Sequence, residues 1–211
     1  MQAPRVCVAG AGAVGGLIAA KLARAGFPVS VLARGEHWRA IEARGLTLLE
    51  GEAGAPVHVA SANEPAALGP QDVVFIALKA PSLVEAASSL KPLLTPDTVL
   101  VPAMNGVPWW FFHRFGGALA GTRLASVDPG GVISEALPAE QVIGSVVHLS
   151  SSIAGRGSSA AGSATCSSSA SRPGSEATDW RASRKCWKPE ALPSRRLRRS
   201  SARCGSSSGA I

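Results

Sequence analysis

Three glycines, at positions 10, 12 and 15, follow a short apolar run and open a segment with helical spacing. Residues 5–9 (RVCVA) read as a buried β-strand, and residues 17–25 continue as a helix. The first glycine permits a tight turn, the second lets a ligand approach the backbone, and the third lets the helix pack on the strand. The helix N-terminus offers amide hydrogens to an anion. The spacing predicts a pyrophosphate cradle formed by Gly10, Ala11, Gly12, Ala13, Val14 and Gly15.

A second strand, residues 29–33 (VSVLA), completes the context that a Rossmann fingerprint requires and makes a dinucleotide the natural ligand. At the end of that strand an NAD enzyme places an acidic residue on the ribose hydroxyls, whereas this chain has Arg34. A planar guanidinium binds a 2′-phosphate through paired hydrogen bonds, so we predict NADP as the cofactor. The alternative is a solvated Arg34 with Glu36 as the ribose ligand.

Strands and helices continue to alternate along the chain. We predict a helix at residues 37–44, a hairpin from residues 46–49 and 57–60, a strand at 72–78, a helix at 82–94 and a strand at 97–103. This order predicts an α/β fold with a Rossmann-type, doubly wound parallel sheet. Right-handed crossovers then bring the strand ends to one edge of the sheet, at Gly10, Arg34, Lys79 and Asn105.

Aromatic side chains are concentrated at residues 109–112 (WWFF), inside a predicted helix. We interpret this cluster as packing of a core or an interface rather than as a substrate contact, and the neighbouring His113 as structural. Residues 123–152 alternate like further strands, with a break at Pro129.

The runs VCVAGAGAVGG, VLAR, FIALKA and AMNGV, in this order and at these spacings, resemble ketopantoate reductase (2-dehydropantoate 2-reductase) over residues 5 to about 155. That family reduces 2-dehydropantoate to pantoate with NADPH, in pantothenate biosynthesis. The resemblance implies that the glycines hold the pyrophosphate, that Arg34 holds the 2′-phosphate, and that Lys79 and Asn105 lie near the cofactor and the keto acid substrate. A solvated lysine and a plain Asn-Gly turn are the alternatives for the last two.

Composition changes abruptly at Arg156: serine becomes the commonest residue and aliphatic side chains almost vanish. Residues 1–155 hold 10 Lys and Arg against 11 Asp and Glu, whereas residues 156–211 hold 11 against 3. The chain's net charge of +7 therefore belongs to the second segment. We predict an NADP-binding domain at residues 1–155 and a non-native or disordered tail at 156–211, where the family has its helical domain.

The tail reads like a gene translated in a shifted frame. Synonymous codons can be chosen so that the displaced frame spells LGNLLL over residues 162–168, GEP over residues 169–172 and EVWFKLWGN over residues 202–211. These strings resemble the continuation of ketopantoate reductase, including the lysine and asparagine of its catalytic helix. We therefore expect a truncated, inactive form in which no residue carries the catalytic role, with an exposed interdomain face that favours self-association.

Two other functions fit parts of the sequence. One is a Rossmann oxidoreductase for another 2-keto acid or an opine. The other is a nucleotide-binding protein whose basic tail grips nucleic acid, an interpretation that the arginines support and that the missing aromatic interleaving and motifs oppose. The four cysteines have no metal-ligand spacing, and no segment has the length and apolarity of a membrane span. We expect a cytoplasmic protein without a metal site.

Overall fold

A parallel β-sheet forms the centre of the computed structural model, which describes residues 3–50, 54–155 and 157–164. Five strands form this sheet: β1 (Val6–Ala9), β2 (Val29–Leu32), β5 (Ala60–Ala62), β6 (Val73–Ile76) and β7 (Val99–Pro102). Their order across the sheet is β5-β2-β1-β6-β7, and all are parallel. The strand order reverses between β1 and β6, which confirms the predicted Rossmann-type, doubly wound sheet.

Helices cover both faces of this sheet, so the core has two layers with the sheet between them. Helix α1 (Ala13–Arg24) and helix α2 (Gly35–Arg44) pack with the β1 and β2 side chains around Leu17 and Ile41. On the other face, α3 (Ala80–Ala86) contributes Leu83. The predicted helix at 82–94 is helical up to Leu93, but its second half is a 3₁₀-helix, Ala87–Leu93, and Leu94 is extended. Pro92 lies inside that segment and has no N–H for an α-helical bond.

A smaller sheet has four strands. The predicted hairpin is present here in part: β3 (Leu46–Glu50) pairs antiparallel with β4 (Pro56–Val57), whereas Ala60, the last residue of the predicted second strand, begins β5 of the main sheet. Strands β8 (Leu149–Gly155) and β9 (Ser158–Ala164) form a second antiparallel pair, and β9 runs parallel to β3. The predicted boundary at residue 155 therefore falls inside this hairpin, and the described fold continues to Ala164. The rest of the predicted tail, residues 165–211, lies outside the described residues.

The aromatic segment differs from its prediction, because residues 109–114 form successive turns rather than a helix. Its backbone bonds join residues three apart, as from Phe111 N to Pro108 O at 3.1 Å, and Arg114 has a φ of 53° that ends any helical continuation. Trp109 is buried, and its indole Nε1 donates to the Leu137 carbonyl at 3.2 Å. The interpretation as core packing therefore fits Trp109.

Residues 123–152 contain less strand than the alternation predicts. The buried Asp128 carboxylate accepts hydrogen bonds from the backbone N–H groups of Ile133 and Ser134, at 2.7 and 3.0 Å, and so stabilises the start of α4 (Val132–Ala136). Gly130 and Gly131 precede it with positive φ. Within the segment, strand pairing is limited to β8 and to isolated bridges at Val142, which pairs with Leu100, and at Gly144.

Among the residues that the structure describes, no helix combines the length and apolarity needed to cross a membrane.

Candidate functional site

The glycine-rich loop lies where the sheet order reverses, directly after β1. Backbone N–H groups of Gly10 and Ala11 both donate to the Leu32 carbonyl at the end of β2, at 3.1 Å each. Gly10 has a φ of +100°, a conformation that favours glycine. In the register of the sheet, Ala9 is level with Leu32 on one side and Ile76 on the other. The loop therefore sits between the carboxyl ends of β2 and β6, where ligands bind in open α/β sheets.

The glycines of the fingerprint have different structural requirements. A Cβ on Gly15 would lie 1.9 Å from the Gly10 carbonyl oxygen and 2.9 Å from the Ala77 Cβ, so the contact of α1 with the loop and β6 excludes any side chain. A Cβ on Gly12, by contrast, would meet no heavy atom within 4 Å, and its φ of −70° is accessible to any residue. The fold thus explains Gly15 but leaves space at Gly12.

Helix α1 begins beside that space. Its N-cap is Gly12, which has no side chain to accept hydrogen bonds from the first turn, and the first turn contains no acidic residue. Within α1 itself, no capping or acidic side chain therefore engages the amide hydrogens or the positive end of the helix dipole, which attract an anion. With the open space at Gly12, this geometry fits a pyrophosphate group held against the backbone.

Arg34 lies beside the loop as the N-cap of α2, two residues after the end of β2. Its side chain is exposed, and among the described residues it takes part in no side-chain hydrogen bond or ion pair. Glu36, the alternative ribose ligand, lies in the first turn of the same helix and has an interaction of its own. The guanidinium is thus placed at the strand end where a dinucleotide ribose lies in this fold.

Lys79 occupies the corresponding position after β6 and is the N-cap of α3. Its side chain is exposed, without a hydrogen bond or ion pair from the described part of the chain. The residues that lead to it lie against the cradle, because a Cβ on Gly10 would be 2.8 Å from the Leu78 Cδ2 and 2.9 Å from the Ala77 carbonyl oxygen. The structure therefore brings Gly10, Arg34 and Lys79 to one edge of the sheet.

Asn105 follows β7 at the same edge, but its amide is already bonded to the chain. Its Nδ2 donates to the Val147 carbonyl at 2.9 Å, and its Oδ1 accepts from the Val147 N–H at 3.0 Å. This paired bond, with a Ser145 hydroxyl bond to the Pro102 carbonyl, attaches residues 145–147 to the end of β7. A ligand that used the Asn105 amide would compete with Val147.

His37 was not identified from the sequence, yet it contacts the cradle directly. Its Nε2 lies 2.6 Å from the Ala11 carbonyl oxygen, and its Nδ1 lies 3.1 Å from the Gly157 backbone nitrogen. Its position in the first turn of α2, three residues after Arg34, is the local signal that could have indicated it. His113, which we interpret as structural, is distant from the glycine loop in the sequence. Its Nε2 lies 3.8 Å from the Glu140 carboxylate.

Cys7 lies in the centre of β1, below the cradle, and is fully buried. Burial raises the pKa of its thiol to about 12, and a hydrogen bond with Ser30 lowers it only in part. The thiol is therefore neutral at physiological pH and unsuited to nucleophilic chemistry.

Comparison with known proteins gives consistent matches. Residues 6–109 match the family described as "Ketopantoate reductase PanE/ApbA". A 2-dehydropantoate 2-reductase of Mesorhizobium japonicum is 51% identical over 147 residues, which cover 68% of this chain and 44% of that protein. The chain thus spans about half the length of the relatives it matches.

Solved structures agree with these sequence matches. A ketopantoate reductase homologue from Ralstonia solanacearum superposes with a TM-score of 0.74 at 47% identity, over 77% of this chain and 50% of its own. A PanE/ApbA family ketopantoate reductase from Ralstonia eutropha superposes with a TM-score of 0.60 at 28% identity, over 75% of this chain and 46% of its own.

Proposed function

Because the N-terminal domain of this chain belongs to the ketopantoate reductase PanE/ApbA family, we propose that residues 1–155 form an NADP-binding domain. The space at Gly12 is the single observation that best supports this proposal. A Cβ at this position would meet no heavy atom within 4 Å, so the glycine fits a need for a ligand to approach the backbone closely. The backbone of residues 10–15 would hold the pyrophosphate, with contributions from Ala11, Ala13 and Val14. Arg34 would bind the 2′-phosphate through its fork of donors.

The reaction that this site best supports is the reduction of 2-dehydropantoate to pantoate, as in the M. japonicum relative. Bound NADPH would supply the hydride to the keto carbon. Lys79 would attract a phosphate or the ribose by charge, at the edge next to the cradle. Asn105 would meet the nicotinamide or the keto acid by exchanging its two bonds to Val147 for bonds to the ligand. A different 2-keto acid as substrate is the second candidate, since the family's substrate ligands lie mostly in its helical domain.

The chain as written is proposed to be truncated and inactive, with residues from about 156 onward translated in a shifted frame. The support is the change in composition at Arg156 and the displaced-frame strings that continue the family pattern. The lysine that stabilises developing negative charge on the substrate would then be absent from the polypeptide, and no other residue takes its role. Basic residues of the tail would have no selected partner, nucleic acid included, and the location of the protein is proposed to be cytoplasmic.

The nucleotide sequence of the gene tests the shifted frame directly. When read in the displaced frame, the codons for residues 162–168 are expected to spell LGNLLL, those for residues 169–172 to spell GEP, and those for residues 202–211 to spell EVWFKLWGN. Codons that spell unrelated residues, or stop codons within those stretches, would refute it. The same proposal predicts no detectable oxidation of NADPH by this chain in the presence of 2-dehydropantoate.

An aromatic patch formed by Phe111, Phe112 and Phe115 supports the proposed self-association. The three rings contact one another, with centroids 5.0 to 5.7 Å apart, while Phe111 and Phe115 are 42% and 55% exposed. Exposed apolar clusters of this kind favour association with another surface.

Replacing Phe111 and Phe115 together by serine is expected to reduce this self-association. Light scattering should detect oligomers of the unmodified chain and a shift towards monomer in the double variant, with weaker binding of a hydrophobic dye. A double variant of two exposed, unclustered apolar residues, Val107 and Ile153, is the matched control. An unmodified chain that is monomeric and binds no dye would contradict the prediction.

A further inference from the structure

We propose that His37 is a positioning residue for the dinucleotide cradle, held in one tautomer by two backbone groups that lie far apart in the sequence. Both ring nitrogens have a partner: the Ala11 carbonyl oxygen lies 2.6 Å from Nε2, and the Gly157 nitrogen lies 3.1 Å from Nδ1. This inference rests on the proposed function only in taking NADPH as the ligand of the cradle.

The two partners determine where the proton is. A carbonyl oxygen can only accept a hydrogen bond, so Nε2 must carry the proton that is shared with Ala11. A backbone N–H can only donate, so Nδ1 must be unprotonated where it faces Gly157. The site therefore selects the neutral Nε2–H tautomer of His37, and neither the other tautomer nor the imidazolium satisfies both contacts.

The bond to Ala11 controls the direction of an amide hydrogen in the cradle. A peptide group is planar and trans, so the Ala11 carbonyl and the Gly12 N–H point in opposite directions. By holding the carbonyl towards α2, His37 directs the Gly12 N–H away from itself. The Ser151 hydroxyl donates to the Ala13 carbonyl at 2.9 Å. In the same way, this bond sets the direction of the Val14 N–H.

The β8–β9 hairpin thus reaches the cradle through two contacts, Ser151 on β8 and Gly157 in the turn that joins the strands. Gly157 contributes a backbone N–H, and its φ of +77° is a conformation that favours glycine. The contact with His37 therefore depends on the path that the chain takes through this turn.

Imidazole nitrogen NMR tests the tautomer without any ligand. Above the usual imidazole pKa range, the long-range proton–nitrogen spectrum should show His37 with a protonated Nε2 and an unprotonated Nδ1. The exposed His58, which makes no side-chain hydrogen bond with the described residues, is the internal control and should show averaged tautomers. A protonated Nδ1 or averaged nitrogens at His37 would overturn the inference, whatever the protein binds.

Two variants test the effect on the cradle. His37→Leu removes the donor to Ala11 and should weaken NADPH binding about tenfold, the effect of one lost hydrogen bond. His37→Gln retains an N–H donor and should recover most of that affinity, whereas a purely structural role would leave the two variants equal. The control His58→Leu should bind like the unmodified chain.

The outcomes separate this inference from the proposed function. If the unmodified chain binds NADPH and His37→Leu binds it equally well, the positioning role is wrong and the proposed cofactor stands. If the unmodified chain binds no NADPH, the proposed cofactor is wrong. The inference is then decided by the tautomer and by amide exchange at Gly157, which should be faster in His37→Leu than in the unmodified chain.

Discussion

Replacing Gly15 by alanine is expected to destabilise the folded domain by more than about 3 kcal/mol, which is the upper part of the range for overpacking. The added Cβ would lie 1.9 Å from the Gly10 carbonyl oxygen, and both groups belong to backbone that the sheet and α1 hold in place. No side-chain rotation can relieve the contact, so the helix must move away from the loop.

Denaturant unfolding of Gly15→Ala, compared with Gly12→Ala and Gly26→Ala, measures this effect. Gly12→Ala should change the free energy of unfolding by less than about 1 kcal/mol, because the space is open and the φ is ordinary. Gly26 has open space but a φ of +84°, so its alanine variant should lose about 1 kcal/mol. Equal stability of the Gly15 and Gly12 variants would contradict the assigned packing.

The same pair separates folding from binding. The methyl group of Gly12→Ala would occupy space that the proposed pyrophosphate approaches, so NADPH affinity should fall by at least about tenfold in a domain that remains folded. If Gly12→Ala binds NADPH like the unmodified chain, the space at Gly12 is not part of the binding site.

Replacing Arg34 by glutamine is expected to weaken NADPH binding by about 100-fold, the loss of a charge-assisted, paired hydrogen bond to phosphate. NADH lacks the 2′-phosphate, so its affinity should change little. Isothermal titration of both cofactors gives the ratio of the NADH to the NADPH dissociation constant. This ratio should fall by nearly the same factor as the NADPH affinity. Because Arg34 is exposed at the end of β2, a loss of folding stability would not explain weaker NADPH binding by the variant.

Arg39→Gln is the matched control for Arg34. It removes the same charge from the same helix at another exposed position that makes no side-chain hydrogen bond or ion pair with the described residues. Its ratio of NADH to NADPH dissociation constants should equal that of the unmodified chain. A similar drop in both variants would show that general electrostatic attraction, and not a contact at Arg34, produces the preference.

The first half of the main sheet could be predicted from the sequence because its signals are local. The strand β1, the glycine turn, α1 and β2 follow one another, and each has its own periodicity or turn residues. Arg34 and Lys79 could be placed at one edge for the same reason, since the right-handed crossover rule orders consecutive strands.

The parts that escaped prediction depend on contacts between distant residues. The residues of the Asn105–Val147 bond are 42 positions apart in the sequence, and those of the His37–Gly157 bond are 120 apart. No local sequence pattern therefore predicts either bond. Likewise, β9 has few apolar side chains and is a strand because its backbone pairs with β3 and β8. In residues 123–152, alternation alone could not reveal that Asp128 caps a helix.

Titration of the purified chain with NADPH and with NADH tests the proposed dinucleotide cradle and its preference for the 2′-phosphate. We expect NADPH to bind at least about tenfold more tightly than NADH and the preference to fall as salt is added, because Arg34 is exposed. Equal affinities for the two cofactors, or binding of neither, would contradict it.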